Sequence, residues 1–247
     1  MASRWMRPIR FPIRSEQFYQ LPRHPAYKYE FLDGVAYVSP QPRYFHAVLD
    51  LKHDQRVGYA LSEVEVEIGA IEDKDEAELI ALFADAFSGV VPFVGLWDEK
   101  LISAGRSCLQ QTREGGDGTW CRNASFVARW KGEVVGAVYI TVLPPGMDLC
   151  RGDVWTLDDF APVEADSGEG TPHLTWIFVS RSARSQGVAT RLLQESIRSL
   201  RQVGYKELVT TIVSGNEKSL LWHWQNGFRI CSIPGSLQRM RKELQRK

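Results

Sequence analysis

The 247-residue chain predicts a mixed α/β fold, a β-sheet flanked by helices and preceded by a small extension. Three observations carry this. The run 173–193 passes from an apolar strand through a Gly-containing loop into an amphipathic helix. The β-branched run 208–213 is followed by a second helix-like stretch that ends at Gly227-Phe228. Apolar runs at 125–130 and 134–142, joined at Lys131-Gly132-Glu133, read as a hairpin. With 44% hydrophobic residues, a chain of this length can bury one substantial core and carry an appendage.

The appendage is expected over residues 1–62, as a hairpin and a short helix. Tyr27-Lys-Tyr-Glu-Phe31 and Val35-Ala-Tyr-Val38 flank Asp33-Gly34, the pair that a tight hairpin turn favours. A short helix is expected at 44–61. It would carry His46, Asp50 and His53 on one face at i, i+4 and i+7, a spacing that suits a metal. A polar helix face is the simpler reading, because no further ligand follows at close spacing, and no metal is expected.

The main domain is expected over 63–247. Val64, Val66 and Ile68 alternate with Glu63, Glu65 and Glu67, the pattern of a half-buried strand. A helix follows, with Asp73 or Asp75 near its start and Ile71, Leu79, Leu82, Phe83 and Phe87 available for burial. A second helix is expected within 91–112, then a loop at Gly115-Gly-Asp-Gly118, then the hairpin. The long acidic connection 147–171 reads as either a disordered tip or the rim of a site, and its lead straight into His173 favours the rim. Gly204 stops the helix that begins after Gly187, and the basic C-terminus reads as a last strand ending in a solvated tail.

The chemistry resides in the turn Arg184-Ser185-Gln186-Gly187-Val188-Ala189-Thr190. Amides in the first turn of a helix lack carbonyl partners and sit at the positive end of its dipole, so small residues there let a phosphate approach. Gly187 removes a Cβ where the approach is tightest, Ala189 keeps the next wall low, and Arg184 can add charge-assisted hydrogen bonds. Neither the Gly-x-x-x-x-Gly-Lys-Ser/Thr phosphate loop nor the Gly-x-Gly-x-x-Gly dinucleotide fingerprint is present.

The turn resembles motif A of the GNAT superfamily, the acyl-CoA-dependent N-acetyltransferases, whose pattern is Gln/Arg-x-x-Gly-x-Gly/Ala. The resemblance continues downstream. GNAT proteins place an Asn after their fifth strand, a small residue three positions on, an aromatic acid seven on, and Gly-Phe at eleven and twelve. Counting from Asn216 gives Ser219, His223, Gly227 and Phe228. The resemblance spans residues from about Val64 to the C-terminus.

It implies a mostly antiparallel twisted sheet, splayed between its fourth and fifth strands, with helices on both faces. Acetyl-CoA would be the co-substrate. Ile177, Phe178 and Val179 would present backbone groups to the pantetheine arm. Amides from Gln186 to Thr190, with Arg184 and Ser185, would hold the pyrophosphate, and Asn216 and Ser219 would complete the cofactor side. His223 stands where many members carry the Tyr thought to protonate the CoA thiolate. Packing against its neighbours is the alternative role. His173, at the start of the strand facing the cleft, is the candidate base, with Glu164 or Glu169 acting through water as rivals and a purely structural role still open.

A base is useful because a lysine-like amine of pKa about 10.4 is neutral in only about one molecule in a thousand at pH 7. The expected reaction is direct attack by a small-molecule or peptide amine in a ternary complex. A non-catalytic acyl-CoA sensor is the other function that these residues allow.

Thirty basic and thirty acidic residues balance, so no field steers the chain to nucleic acid or an anionic membrane. No apolar run reaches the length of a membrane span, and the N-terminus lacks the apolar core of a secretion signal. A cytoplasmic setting is expected, with Cys108, Cys121, Cys150 and Cys231 reduced. A homodimer is compatible with the sequence.

Overall fold

The computed structural model describes residues 9–22, 27–40, 44–52, 65–90, 93, 96–147, 161–213 and 215–231. They fall into two compact units, Met1–Arg43 and Tyr44–Lys247. In the first, strands β1 (Ile9–Pro12), β2 (Tyr27–Leu32) and β3 (Val35–Pro40) form an antiparallel sheet in the order β1-β3-β2, and helix α1 (Ser15–Tyr19) follows β1. The β2–β3 turn holds Asp33 at φ 49° and Gly34 at φ 77°, two successive left-handed residues that match the twist of the strands. Phe18 of α1 is buried, with its ring 5.2 Å from that of Phe31. The hairpin was legible in the sequence. β1 and α1 were not, because four- and five-residue elements carry too little periodicity.

The second unit contains β4 (Tyr44–Asp50), β5 (Glu67–Ala70), α2 (Glu76–Phe87), α3 (Asp98–Arg113), β6 (Thr119–Trp120), β7 (Phe126–Trp130), β8 (Glu133–Leu143), β9 (Thr171–Val179), α4 (Val188–Val203), β10 (Glu207–Val213), α5 (Glu217–Gln225) and β11 (Arg229–Cys231). The strands make one sheet in the order β11-β4-β10-β9-β8-β7-β5, with β6 added against β8. Every pairing is antiparallel except β9 with β10. Among the described residues, no helix is long and apolar enough to cross a membrane.

The segment expected as a helix at 44–61 is corrected at its start. Residues 44–50 are strand β4, paired with β10 from Glu207↔Asp50 to Val213↔Tyr44 and with β11 on its other edge. Ala47, Val48, Leu49 and Asp50 are all buried, so both faces of the strand are covered. A short run buried on both faces shows neither the helical nor the alternating period, which is why the sequence misled. The described structure therefore divides at Arg43, where residue 62 was expected. His53 and the rest of 53–64 lie outside the described residues, and among the described residues no group of three metal-ligating side chains occurs.

The sheet is covered on both faces. Val138, Ile140 and Val142 of β8 pack with Leu192, Leu193 and Ile197 of α4, while Ala137 and Tyr139 face Leu79 and Phe83 of α2 and Leu109 of α3. Gly136 brings α4 close, since a Cβ there would stand 3.0 Å from Val188 Cγ1 and 3.1 Å from Leu192 Cδ1. The β7–β8 turn again uses two left-handed residues, Lys131 at φ 53° and Gly132 at φ 87°. The strand expected near 64–68 appears as β5, slightly later, and the last strand expected beyond 231 lies outside the described residues.

The site is positioned by the parallel pair. β9 and β10 are in register only at Val209↔His173 and Thr210↔Leu174. Past that point β9 continues along β8 to Val179↔Gly136, and β10 continues along β4 to Val213↔Tyr44. The two strands part company at Thr175, which is also a bulge, because Tyr139 pairs with Trp176 and Ile140 with Leu174. Counted from the β5 edge, the opening lies between the fourth and fifth strands.

Candidate active site

Backbone groups line one wall of the opening. Ser180 N–H donates to the Val135 carbonyl at 2.9 Å. Antiparallel ladders alternate, so Trp176 and Phe178 also turn their backbone groups to β8, whereas Ile177 and Val179 turn theirs toward β10. Two of the three residues expected to meet a pantetheine arm thus face the opening. Phe178 does not, and its buried side chain packs at 5.5 Å from the Phe83 ring.

The chain leaves β9 through a 3-10 turn, Arg181–Ala183, capped by Ser180 Oγ accepting from Ala183 N–H at 3.3 Å. Ser185 at φ 62° and Gly187 at φ 78° then swing it into α4. Arg191 N–H donates to the Gly187 carbonyl, closing the first turn of the helix. Among the described residues, the amides of Gln186, Gly187, Val188, Ala189 and Thr190 donate no well-formed hydrogen bond. Five consecutive N–H groups with a helix dipole behind them make a site for an anion. Val188 is buried against β8, which anchors the turn to the core.

Arg184 is placed differently from expectation. Its guanidinium donates to the Ala86 carbonyl at 2.7 Å, at the end of α2. It ties the turn to the helix, leaving the amides as the principal anion donors. The Gln186 side chain similarly donates to the Ser182 carbonyl at 3.0 Å.

Because β9 and β10 are parallel, the segments after both strands emerge at the same edge. After β10, Asn216 caps α5 through its Oδ1, which accepts from Ser219 N–H at 3.3 Å. At the other end Gly227, at φ 87°, ends the helix, and Phe228 is buried with its ring 5.0 Å from His223. Asn216, Ser219, Gly227 and Phe228 thus form a frame around one imidazole. Its Nδ1 lies 2.7 Å from the Ser219 carbonyl and 3.3 Å from Ser219 Oγ. A carbonyl only accepts, so Nδ1 carries the hydrogen, and the buried Nε2 has no partner among the described residues. Burial, partly offset by the Ser219 bond, pulls the pKa of His223 down to about 4. In this tautomer Nε2 of His223 is the acceptor end of the ring.

His173 is likewise held. Thr141 Oγ1 donates to the Asp117 carbonyl at 2.7 Å, so the 2.8 Å contact between Thr141 and Thr175 uses the Thr175 hydroxyl hydrogen. Thr175 then accepts from Nδ1–H of His173 at 3.0 Å, and His173 Nε2 faces Thr211 Oγ1 at 3.4 Å. Thr211 in turn lies 3.5 Å from His46 Nδ1. Burial, reinforced by the nearby imidazoles of His46 and His223, lowers the pKa of His173 to about 3. The lowered pKa keeps the ring of His173 neutral, with both of its nitrogens engaged by threonine hydroxyls. Glu164 and Glu169 belong to the turn before β9, whose carbonyls hold the Ser167 and Tyr205 hydroxyls, at the edge away from the amide turn.

Sequence reasoning missed Thr175, Thr211 and Trp176, since threonine and tryptophan inside β-branched runs read as ordinary sheet formers. A polar cleft of about 320 Å³, lined by Asp50, Lys52, Pro172, Tyr205 and Lys206 among others, lies at the opposite ends of β9 and β10 and is no part of this arrangement.

The two imidazoles set a pH dependence. Both are neutral in the fold, with pKa values of about 3 and about 4, against 6.5 for an exposed histidine. Between those limits the unfolded chain binds more protons than the folded one, so stability rises with pH there and is fully present above 6.5. The melting temperature is expected to fall steadily from pH 6.5 toward 4, and to fall less in His173→Gln. A flat profile over that interval in scanning calorimetry contradicts the burial of neutral imidazoles.

Three solved structures illustrate the likeness. A PaiA N-acetyltransferase from Thermoplasma acidophilum, in complex with coenzyme A, is 13% identical over 70% of this chain and 95% of its own, with a TM-score of 0.47. An aminoglycoside N-acetyltransferase in complex with CoA is 20% identical over 67% and 88%, with a TM-score of 0.43. A ribosomal-protein-alanine N-acetyltransferase from Brucella melitensis biovar Abortus 2308 is 18% identical over 65% and 90%, with a TM-score of 0.41. No curated protein sequence matches significantly. The model of the acetyltransferase (GNAT) family matches residues 93–228, more than half of the chain and the whole of the arrangement from β7 to Phe228. The chain belongs to the GNAT family, the acyl-CoA-dependent N-acetyltransferases.

Proposed function

We propose that the protein transfers an acetyl group from acetyl-CoA to an amine, by direct attack in a ternary complex. The observation that carries this is the row of five amides, Gln186 to Thr190, at the edge where β9 and β10 have separated. Diphosphate oxygens would bind there, and the pantetheine arm would run down the opening beside Ile177 and Val179, completing β9 as a strand would. That places the thioester near the bulge at Thr175, where an outward backbone N–H would stabilise the oxyanion.

The thiols of Cys108 and Cys121 are pushed up to about 11 by burial, which argues against an acyl-cysteine route through either of them. Free thiols at both positions suit a reducing, cytoplasmic setting. His223 serves as a fixed wall and hydrogen-bond acceptor, locked by the Asn216–Phe228 frame.

The test is thiol release from acetyl-CoA with a panel of small-molecule and peptide amines. Amine-dependent release is expected. A second reading, an acyl-CoA sensor, is favoured by one observation: the imidazoles of His173 and His223 are both buried and hydrogen-bonded within the fold. Tight acetyl-CoA binding without release by any amine would support the sensor and contradict the transferase.

A further inference from the structure

The turn Gly115-Gly116-Asp117-Gly118 presents a carboxylate whose surroundings are incomplete. Gly115 and Gly118 have φ of 89° and 100°. A Cβ at Gly118 would stand 2.8 Å from the Val142 carbonyl oxygen, and one at Gly116 would stand 2.6 Å from Gln111 Cγ. The backbone is thus pressed between β8 and α3, a close approach that only glycine permits. Asp117 is the one residue of the turn with a side chain, and it is half-buried.

Its carboxylate accepts from Thr112 Oγ1 at 2.6 Å and from Gln111 Nε2 at 3.0 Å, two neutral donors. No Lys, Arg or His among the described residues pairs with it. Among the described residues, Arg113 and Arg122 are engaged elsewhere: Arg113 pairs with Glu76 at 3.6 Å and lies over the Trp120 ring, where Arg122 also lies at 4.4 Å. Burial raises the Asp117 pKa, and no positive group lowers it. A half-buried carboxylate without a counter-charge is unfavourable unless a cation arrives.

Its position says which cation. The Asp117 carbonyl is joined through Thr141, at 2.7 Å, to Thr175, at 2.8 Å, the bulge where the opening begins. Its carboxylate is joined through Thr112 to the indole N–H of Trp176, which donates to Thr112 at 2.9 Å from the next position of β9. We infer that Asp117 is the anchor for the positive charge of the acceptor, so that the substrate class is cationic amines. This rests on the transferase reading, and it adds a specificity residue on the α3 side of the sheet, away from the amide turn.

The experiment compares wild type with Asp117→Asn, an isosteric change that keeps one acceptor oxygen. The probes are 1,4-diaminobutane, a dication, and aniline, which is uncharged at neutral pH. With 1,4-diaminobutane, kcat/KM is expected to fall about 10- to 100-fold, nearly all of it in KM, the loss typical of a charged hydrogen bond. Turnover of aniline and the Kd for CoA stay within about twofold. An equal loss on both amines, or no loss on either, overturns the inference.

If neither amine turns over, equilibrium binding of 1,4-diaminobutane to the CoA-loaded protein is read instead, and absence of binding by wild type also overturns it. Should Asp117→Asn not fold, the salt dependence of binding in wild type replaces it. Weakening with added salt supports the anchor, and independence of salt overturns it. Failure of the wild type to bind CoA at all is a different result, counting against the transferase reading itself.

Discussion

A chain that begins at residue 53 is expected not to fold, whereas a chain that begins at Tyr44 keeps its sheet and its CoA site. The difference between the two is strand β4, which pairs with β10 along seven residues and with β11 on its other side. Val48, Leu49 and Leu51 are essentially fully buried there, so their loss removes roughly 5–9 kcal/mol of apolar burial. That is comparable with the whole stability of a domain, about 5–15 kcal/mol. The loss would also uncover the inner edge of β10, leaving its backbone groups unpaired beside the opening. Residues before Tyr44 form a unit with its own sheet and its own buried Phe18. Far-ultraviolet circular dichroism and a melting curve on the two truncations check this. A cooperative transition in the shorter chain would contradict a central role for β4.

Gly187→Glu is expected to weaken CoA binding by at least about 100-fold, or about 2.7 kcal/mol, while leaving the fold intact. Two effects add. Gly187 has φ 78°, and a residue with a Cβ held there is strained by about 1–2 kcal/mol. The new carboxylate would also sit among the five amides and compete with the diphosphate for them, repelling it through a poorly screened gap. Titration calorimetry with CoA measures the affinity, and a melting temperature of the ligand-free variant within a few degrees of wild type shows that folding is not the cause. Unchanged affinity would mean that the phosphate site lies elsewhere.

Gly187 and the frame from Asn216 to Phe228 were legible because their chemistry is local. A left-handed cap, a helix N-terminus and a side-chain cap each depend on residues a few positions apart, so spacing alone reports them. The hairpins at Asp33-Gly34 and Lys131-Gly132 were legible for the same reason. β4 was not, because its partner β10 lies more than 150 residues away and burial on both faces erases the alternation. The surroundings of His173 and His223 were not legible because they are tertiary: Thr175 and Thr211 reach His173 from two strands, and Phe228 closes over His223. Desolvation of an imidazole depends on what the whole fold brings around it, which no local pattern encodes. Asp117 was visible only as a loop residue. Its uncompensated charge emerges once α3, β8 and β9 are placed around it.

Amide hydrogen exchange of Gln186 to Thr190, with and without saturating CoA, tests whether these five N–H groups hold the diphosphate. Exchange at all five positions is expected to be fast in the free protein and to slow strongly when CoA is bound, with Ile177 and Val179 slowing alongside them. Rates that are already slow without ligand, or that do not change when CoA binds, would contradict the site.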